Sequence, residues 1–238
     1  MLSDSKTLLP DTIHIWTISL NSTVQQQRYY ENMLSTDEIE RTNRFATAVL
    51  KNRFIVCRGK LREILATYAA EISPEKLIFS SHPFGKLYLR DNEGIHFNYA
   101  YSADLAMLAI AHNIEVGVDL EQHTDVDMNA ISDRLFSESD IVALQTLPDE
   151  MREQIFFKIW VRKESYLKAL GTGFNQPSKE FSVISHALDQ HTVNIDSQAA
   201  AGKVWKITDI DGPHGFYAAV CGAGSDWQYL NMHHNSIR

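Results

Sequence analysis

Apolar residues along the chain fall into short runs and longer helical stretches, and their order occurs twice. Residues 13–18, Ile-His-Ile-Trp-Thr-Ile, form a largely apolar run of strand length. The Ser35-x-x-Glu38 pair that follows marks a helix start, because each side chain can satisfy the other's backbone amide. A long helical pattern then runs through Phe54, Ile55 and Val56 to Arg62, and strand-like segments follow at residues 77–80, 86–89, 95–100 and 106–111. The second half presents the same series. Residues 116–121 have a strand pattern, Ser137-x-x-Asp140 marks a helix start, and residues 155–170 form a long helix that Gly171 should stop as a C-cap. Strand-like runs return at residues 181–184, 204–207 and 216–221.

The repetition predicts an α+β protein made of two similar α/β halves related by a pseudo-twofold axis, residues 1–112 and 113–238. No Pro-, Gly- or Ser-rich linker separates them, so they should pack as one unit. The groove between them is then the natural ligand site, since pockets favour such interfaces.

Composition narrows the function. The chain has 238 residues, 44% hydrophobic and 22% charged, as in an ordinary soluble globular protein. It lacks an apolar window of membrane-spanning length and an N-terminal signal pattern, so a cytoplasmic protein is expected. The two cysteines, Cys57 and Cys221, form no CxxC pair and are expected to be buried thiols. Asn21-Ser22-Thr23 matches a glycosylation pattern by chance in such a protein. With 22 Lys and Arg against 30 Asp and Glu, the net charge of -8 argues against a nucleic-acid partner. An anionic ligand would need a metal or a local basic patch. Arg41, Arg44, Lys51, Arg53, Arg58, Lys60 and Arg62 supply a candidate patch within one stretch. Serine-hydrolase elbows, phosphate-binding loops and His-Glu-x-x-His are absent. Gly171-Thr172-Gly173 is expected as a helix stop, and His233-His234 as a loose tail.

Two segments carry candidate chemistry. In Gly117-Val118-Asp119-Leu120-Glu121, strand alternation turns both carboxylates to one face, about 7 Å apart, while Val118 and Leu120 face a core. Paired carboxylates suit a hard cation, and oxygen ligands favour Mg²⁺ over zinc. An isolated Asp-x-Glu is more often a strand end with solvated acids. On the second helix, Glu164 and Lys168 lie four apart on one face, as an ordinary surface ion pair would, yet they could also bring a third carboxylate and a cation to the groove.

Gly117-x-Asp119-x-Glu121 followed by Trp160-x-x-Lys163-Glu164-Ser165-x-x-Lys168 resembles the 4′-phosphopantetheinyl transferases of the surfactin-synthetase-activating type. Phe84-Gly85-Lys86, Phe97-Asn98 and Ser102 extend the resemblance over most of the chain. It implies a holo-[acyl-carrier-protein] synthase activity: transfer of the phosphopantetheine arm of coenzyme A to a serine of an acyl or peptidyl carrier protein in fatty-acid, polyketide or nonribosomal-peptide synthesis. It implies Mg²⁺ on Asp119, Glu121 and Glu164, and Lys168 at the pyrophosphate. Arg41, Arg53 and Lys86 would contact coenzyme A, and a monomer is expected. Two departures stand out. Tyr101 replaces the family's usual histidine at a coenzyme A phosphate, where it can donate a hydrogen bond but carries no positive charge. Leu87 follows Lys86 where the family has proline. The competing functions are another Mg²⁺-dependent diphosphate-cleaving enzyme and a catalytically impaired coenzyme A binder.

Overall fold

A computed structural model of the protein describes residues 7–69, 72–171, 178–184, 191–196 and 202–232. The first half comprises β1 (Thr12–Ser19), α1 (Val24–Glu31), α2 (Thr36–Thr42), α3 (Ala48–Ala66), β2 (Phe79–Ser81), β3 (Leu87–Leu89), β4 (Ile95–Ser102) and β5 (Leu105–His112). The second comprises β6 (Val116–Gln122), α4 (Met128–Leu135), α5 (Glu138–Gln145), α6 (Asp149–Leu170), β7 (Thr192–Asp196), β8 (Val204–Ile210), β9 (Phe216–Ala223) and β10 (Gln228–Met232). The class is α+β, as the sequence predicts. Among the described residues, no helix is long and apolar enough to cross a membrane.

The strands form two four-stranded sheets, ordered β10-β1-β5-β4 and β6-β9-β8-β7, and a separate β2-β3 hairpin. Strand alternation explains how they stack. On β1, Ile13 and Ile15 belong to one apolar cluster and Trp16 and Ile18 to another; on β5, Met107 and Ala109 part from Leu108 and Ile110 in the same way. The first set meets Val116, Val118, Leu120, Ala218 and Val220 of the other sheet, forming a core between the sheets. The second packs under α3, on Ile55, Leu61 and Leu65. On the far side, α6 covers Ile207, Ala219 and Cys221 with Phe156 and Ile159. The result is helix, sheet, sheet, helix. Both central sheets are covered on both faces, which is why residues 106–111 are continuously apolar. Cys57 and Cys221 are free and buried, and burial pushes the Cys57 thiol up to about 11.

Both expected helix starts are present. Ser35 and Glu38 form a complete capping box on α2, and Ser137 with Asp140 forms one on α5. Thr23, in the chance glycosylation pattern, caps α1. Gly171, at φ 67°, closes α6 in the left-handed conformation that a glycine adopts without penalty. Thr172, Gly173, His233 and His234 lie outside the described residues.

The structure corrects two expectations. Residues 181–184 are not a strand: Asp140 Oδ1 accepts from Ser182 Oγ and Val183 N–H, Arg162 binds Val183 O, and Lys163 Nζ binds Phe181 O. These backbone groups are spent on buried side chains, and the strand of this region is β7. The basic stretch is also not one surface patch. Arg58 and Arg62 are 3% and 1% exposed, and both pair with Glu38, at 3.2 Å and 2.8 Å. Glu38 therefore caps α2 and pairs with two buried guanidiniums at once. Glu38→Gln should lower unfolding free energy by about 2 kcal/mol, because it strips the counter-charge from both arginines. Denaturant melts of the two proteins would check this, with an unchanged midpoint refuting it.

Candidate active-site cleft

The face of β6 that turns away from the inter-sheet core carries Gly117, Asp119 and Glu121, and α6 lies across it. A Cβ on Gly117 would sit 2.1 Å from Ser165 O and 2.3 Å from Ala169 N, so only glycine lets the strand run against the helix backbone. Ser165 and Ala169, four apart, form the small-residue face opposite. This close approach brings Asp119 and Glu121 to the helix turn that bears Glu164 and Lys168.

Lys168 Nζ donates to Asp119 Oδ1 at 2.6 Å; Asp119 is 2% exposed, while the lysine side chain keeps 31% of its surface open. The ion pair of Lys168 thus crosses from helix to strand, in place of the pairing with Glu164 that helix spacing alone suggests. Asp119 Oδ2 is buried and has no hydrogen-bond partner among the described residues. Glu121 Oε2 accepts from Ser102 Oγ at 3.1 Å.

Burial and mutual repulsion act on all three acids. Glu121 is raised from the ordinary 4.5 to about 7, first by burial, then by the charge of Asp119 and, last, of Glu164. Burial, followed by Asp119, pushes Glu164 up, and burial pushes Asp119 up against the pull of Lys168. For Lys168, burial pulls the ammonium down, but Asp119, Glu164 and Glu121 together hold it above its usual range. No group of three or more His, Cys, Asp or Glu side chains among the described residues is already drawn together as a metal cage. The chemistry of the set nevertheless fits a hard cation: carboxylate oxygens only, one of them an orphaned buried Oδ2, on acids that repel one another.

The sign of these shifts sets a pH dependence. A carboxyl with a raised folded pKa contributes stability that is present below about pH 4.5 and lost as pH rises through about 7. The metal-free protein should melt at a lower temperature at about pH 8 than at about pH 5 because of Glu121, and Glu121→Gln should flatten that slope. Thermal melts across this range would check it; equal slopes for the two proteins would refute it.

Glu164 and Lys168 form one wall of a cleft of about 360 Å³ whose other walls are Phe84, Gly85, Lys86, Leu87, Phe97–Tyr101, Leu167 and Gly171. It is bounded by β4 and the β2-β3 turn from the first half and by α6 from the second. Tyr101, 47% exposed, and Lys86 line it. Lys86 Nζ donates to Ala169 O at 2.6 Å, a favourable place for a cation at a helix C-terminus, and burial pulls its ammonium down to about 8. Arg41 lines a different cavity, about 470 Å³, with Arg58, Arg62 and Arg90 beyond Leu87, and its guanidinium lies 5.3 Å from the Phe54 ring. Arg53 is half-buried on α3. The structure therefore gathers Glu164, Lys168, Lys86 and Tyr101 around one cleft, ties Asp119 to it through Lys168, keeps Glu121 within the electrostatic reach of these charges, and sets Arg41 and Arg53 apart from its lining.

Lys163, which lies within the helix motif, faces the interior. It is fully buried, pairs with Asp140 at 2.8 Å and donates to Ser178 O and Phe181 O. Ser102 and Asn98 were legible only as motif members. Their bonds to β6, Asn98 Oδ1 to Val118 N–H and Ser102 Oγ to Gln122 N–H, join residues too far apart in sequence for any periodicity to signal.

The profile of the 4′-phosphopantetheinyl transferase superfamily matches residues 115–221, the segment that carries β6 and α6. The 4′-phosphopantetheinyl transferase HetI of Nostoc sp. (strain PCC 7120) is 33% identical over 232 residues, covering 96% of this chain and 94% of HetI. The 4′-phosphopantetheinyl transferase Sfp of Bacillus subtilis (strain 168) is 23% identical over 203 residues, 85% of this chain and 88% of Sfp. A putative 4′-phosphopantetheinyl transferase of Synechocystis sp. (strain PCC 6803) is 32% identical over 149 residues, 61% of this chain and 60% of its own. The chain belongs to the 4′-phosphopantetheinyl transferase family and is a transferase.

Proposed function

We propose that the chain transfers the 4′-phosphopantetheine group of coenzyme A to a serine hydroxyl of an apo acyl or peptidyl carrier protein, releasing 3′,5′-ADP, at the end of the cleft where β6 meets α6. The observation that carries this reading is the convergence of Asp119 and Glu121 with Glu164 and Lys168, with Asp119 Oδ2 left buried and unpartnered. Asp119, Glu121 and Glu164 would hold Mg²⁺, which when bound supplies a Lewis acid for the charge on the pyrophosphate. Lys168 supports the leaving phosphate, and Lys86 and Tyr101 line the path of the coenzyme A. Arg41 and Arg53, on the same half, add charge for its phosphates. Glu164 accepts the proton of the attacking serine. In phosphoryl transfer such a base matters less than positioning and electrostatics.

The halves 1–112 and 113–238 act as a duplicated unit. The matching strand orders β1-β5-β4 and β6-β9-β8 support this, and the cleft takes walls from both. The protein works as a cytoplasmic monomer. The complete set of acids and lysines weighs against an impaired binder. Incubation with coenzyme A, Mg²⁺ and a panel of apo-carriers, followed by mass spectrometry, tests the reaction. One carrier should gain a phosphopantetheine group with 3′,5′-ADP as co-product. Diphosphate cleavage without any carrier, or no product on any carrier, would refute the reading.

A further inference from the structure

The hydroxyl of Ser102 touches two groups, both on β6, although Ser102 itself ends β4 in the other half. Gln122 N–H donates to Ser102 Oγ at 3.1 Å, and the same Oγ lies 3.1 Å from Glu121 Oε2. An amide can only donate, and a hydroxyl carries one proton, so the proton of Ser102 goes to the carboxylate. Asn98, four residues back on the same face of β4, accepts from Val118 N–H at 2.9 Å. Two side chains of β4 therefore grip β6 at positions 118 and 122, on either side of Asp119 and Glu121. Among the described residues, the bond from Ser102 is the hydrogen bond that the Glu121 side chain makes.

We propose that Ser102 is a positioning residue for Glu121. Its hydroxyl engages Oε2 and leaves Oε1 for the cation, so the N-terminal half sets the geometry of an acid that the C-terminal half carries. The inference rests on Asp119, Glu121 and Glu164 being the Mg²⁺ ligands. A glutamate has a flexible stem, and a carboxylate held by an outer hydrogen bond meets a cation with less ordering to do. Loss of such outer partners elsewhere lowers metal affinity by about 10- to 100-fold. A purely structural role is the competing explanation, because the same hydroxyl also satisfies the Gln122 amide.

The variants Ser102→Thr and Ser102→Val separate the two. They share a shape suited to a strand and differ only in the hydroxyl. Mn²⁺ affinity by electron paramagnetic resonance and Mg²⁺ affinity by calorimetry would be measured on wild type, both variants and Glu121→Gln, with thermal melts alongside. Ser102→Thr should bind metal like wild type, whereas Ser102→Val should bind it about 10-fold more weakly or worse. In turnover, Ser102→Val should need more Mg²⁺ for half-maximal rate and recover most of its rate when Mg²⁺ is saturating. Equal metal affinity for Ser102→Thr and Ser102→Val would overturn the positioning role. Wild-type affinity in Glu121→Gln would overturn the metal assignment, and the positioning role with it.

Discussion

Asp119→Ala should lose at least about 10³-fold in transfer rate while the fold stays intact, because it removes an acid that is both buried and paired to Lys168. Two effects combine. The substitution deletes the orphaned Oδ2, which the proposed function assigns to the cation, and it releases Lys168 from the strand. The fold should survive, since the lysine side chain is 31% exposed and can turn to water once its partner is gone. The loss should appear in the maximal rate and resist rescue by more coenzyme A, because the missing stabilisation belongs to the transition state. Steady-state kinetics on an apo-carrier, with circular dichroism of the variant, would check it. Activity within about 10-fold of wild type would remove Asp119 from the chemistry.

Gly117→Ala should destabilise the protein by about 3 kcal/mol or more, a fall in Tm of about 6–12 °C. The added methyl would meet backbone atoms at 2.1 Å and 2.3 Å, and backbone cannot swing aside as a side chain can. To relieve the clash, α6 must lift from β6 along the contact that holds Glu164 and Lys168 against Asp119 and Glu121. A displacement of about 1 Å at reacting groups can cost about 100-fold in rate, so residual activity at low temperature should fall by that order even where the variant is folded. Calorimetry and single-turnover assays would check both halves. A variant with the wild-type Tm would show that the close approach is not required.

Local chemistry was legible in the sequence. The capping boxes at Ser35 and Ser137, the C-cap at Gly171 and the strand at 106–111 each depend on residues within one element, so the pattern specifies them directly. Strand period two also put Asp119 and Glu121 on one face. Elements defined by distant partners were not legible. β10 is short and mostly exposed, and it is a strand because it pairs in parallel with β1 across nearly the whole chain. Residues 181–184 have strand composition, but Asp140, Arg162 and Lys163 take their backbone groups.

Short-range rules thus sufficed for the class of fold, two helix starts, one helix stop and the two motifs that carry the candidate chemistry, since propensity, capping and periodicity act over a few residues. Which charges meet beside the cleft depended on packing. Helix spacing offers Lys168 to Glu164, but the approach of α6 to Gly117 gives it to Asp119 instead. A run of cations in sequence suggests a patch, yet Glu38 draws Arg58 and Arg62 into the interior. In both cases an ionic partner distant in the chain prevails, because a charge taken out of water must be paired wherever packing places it.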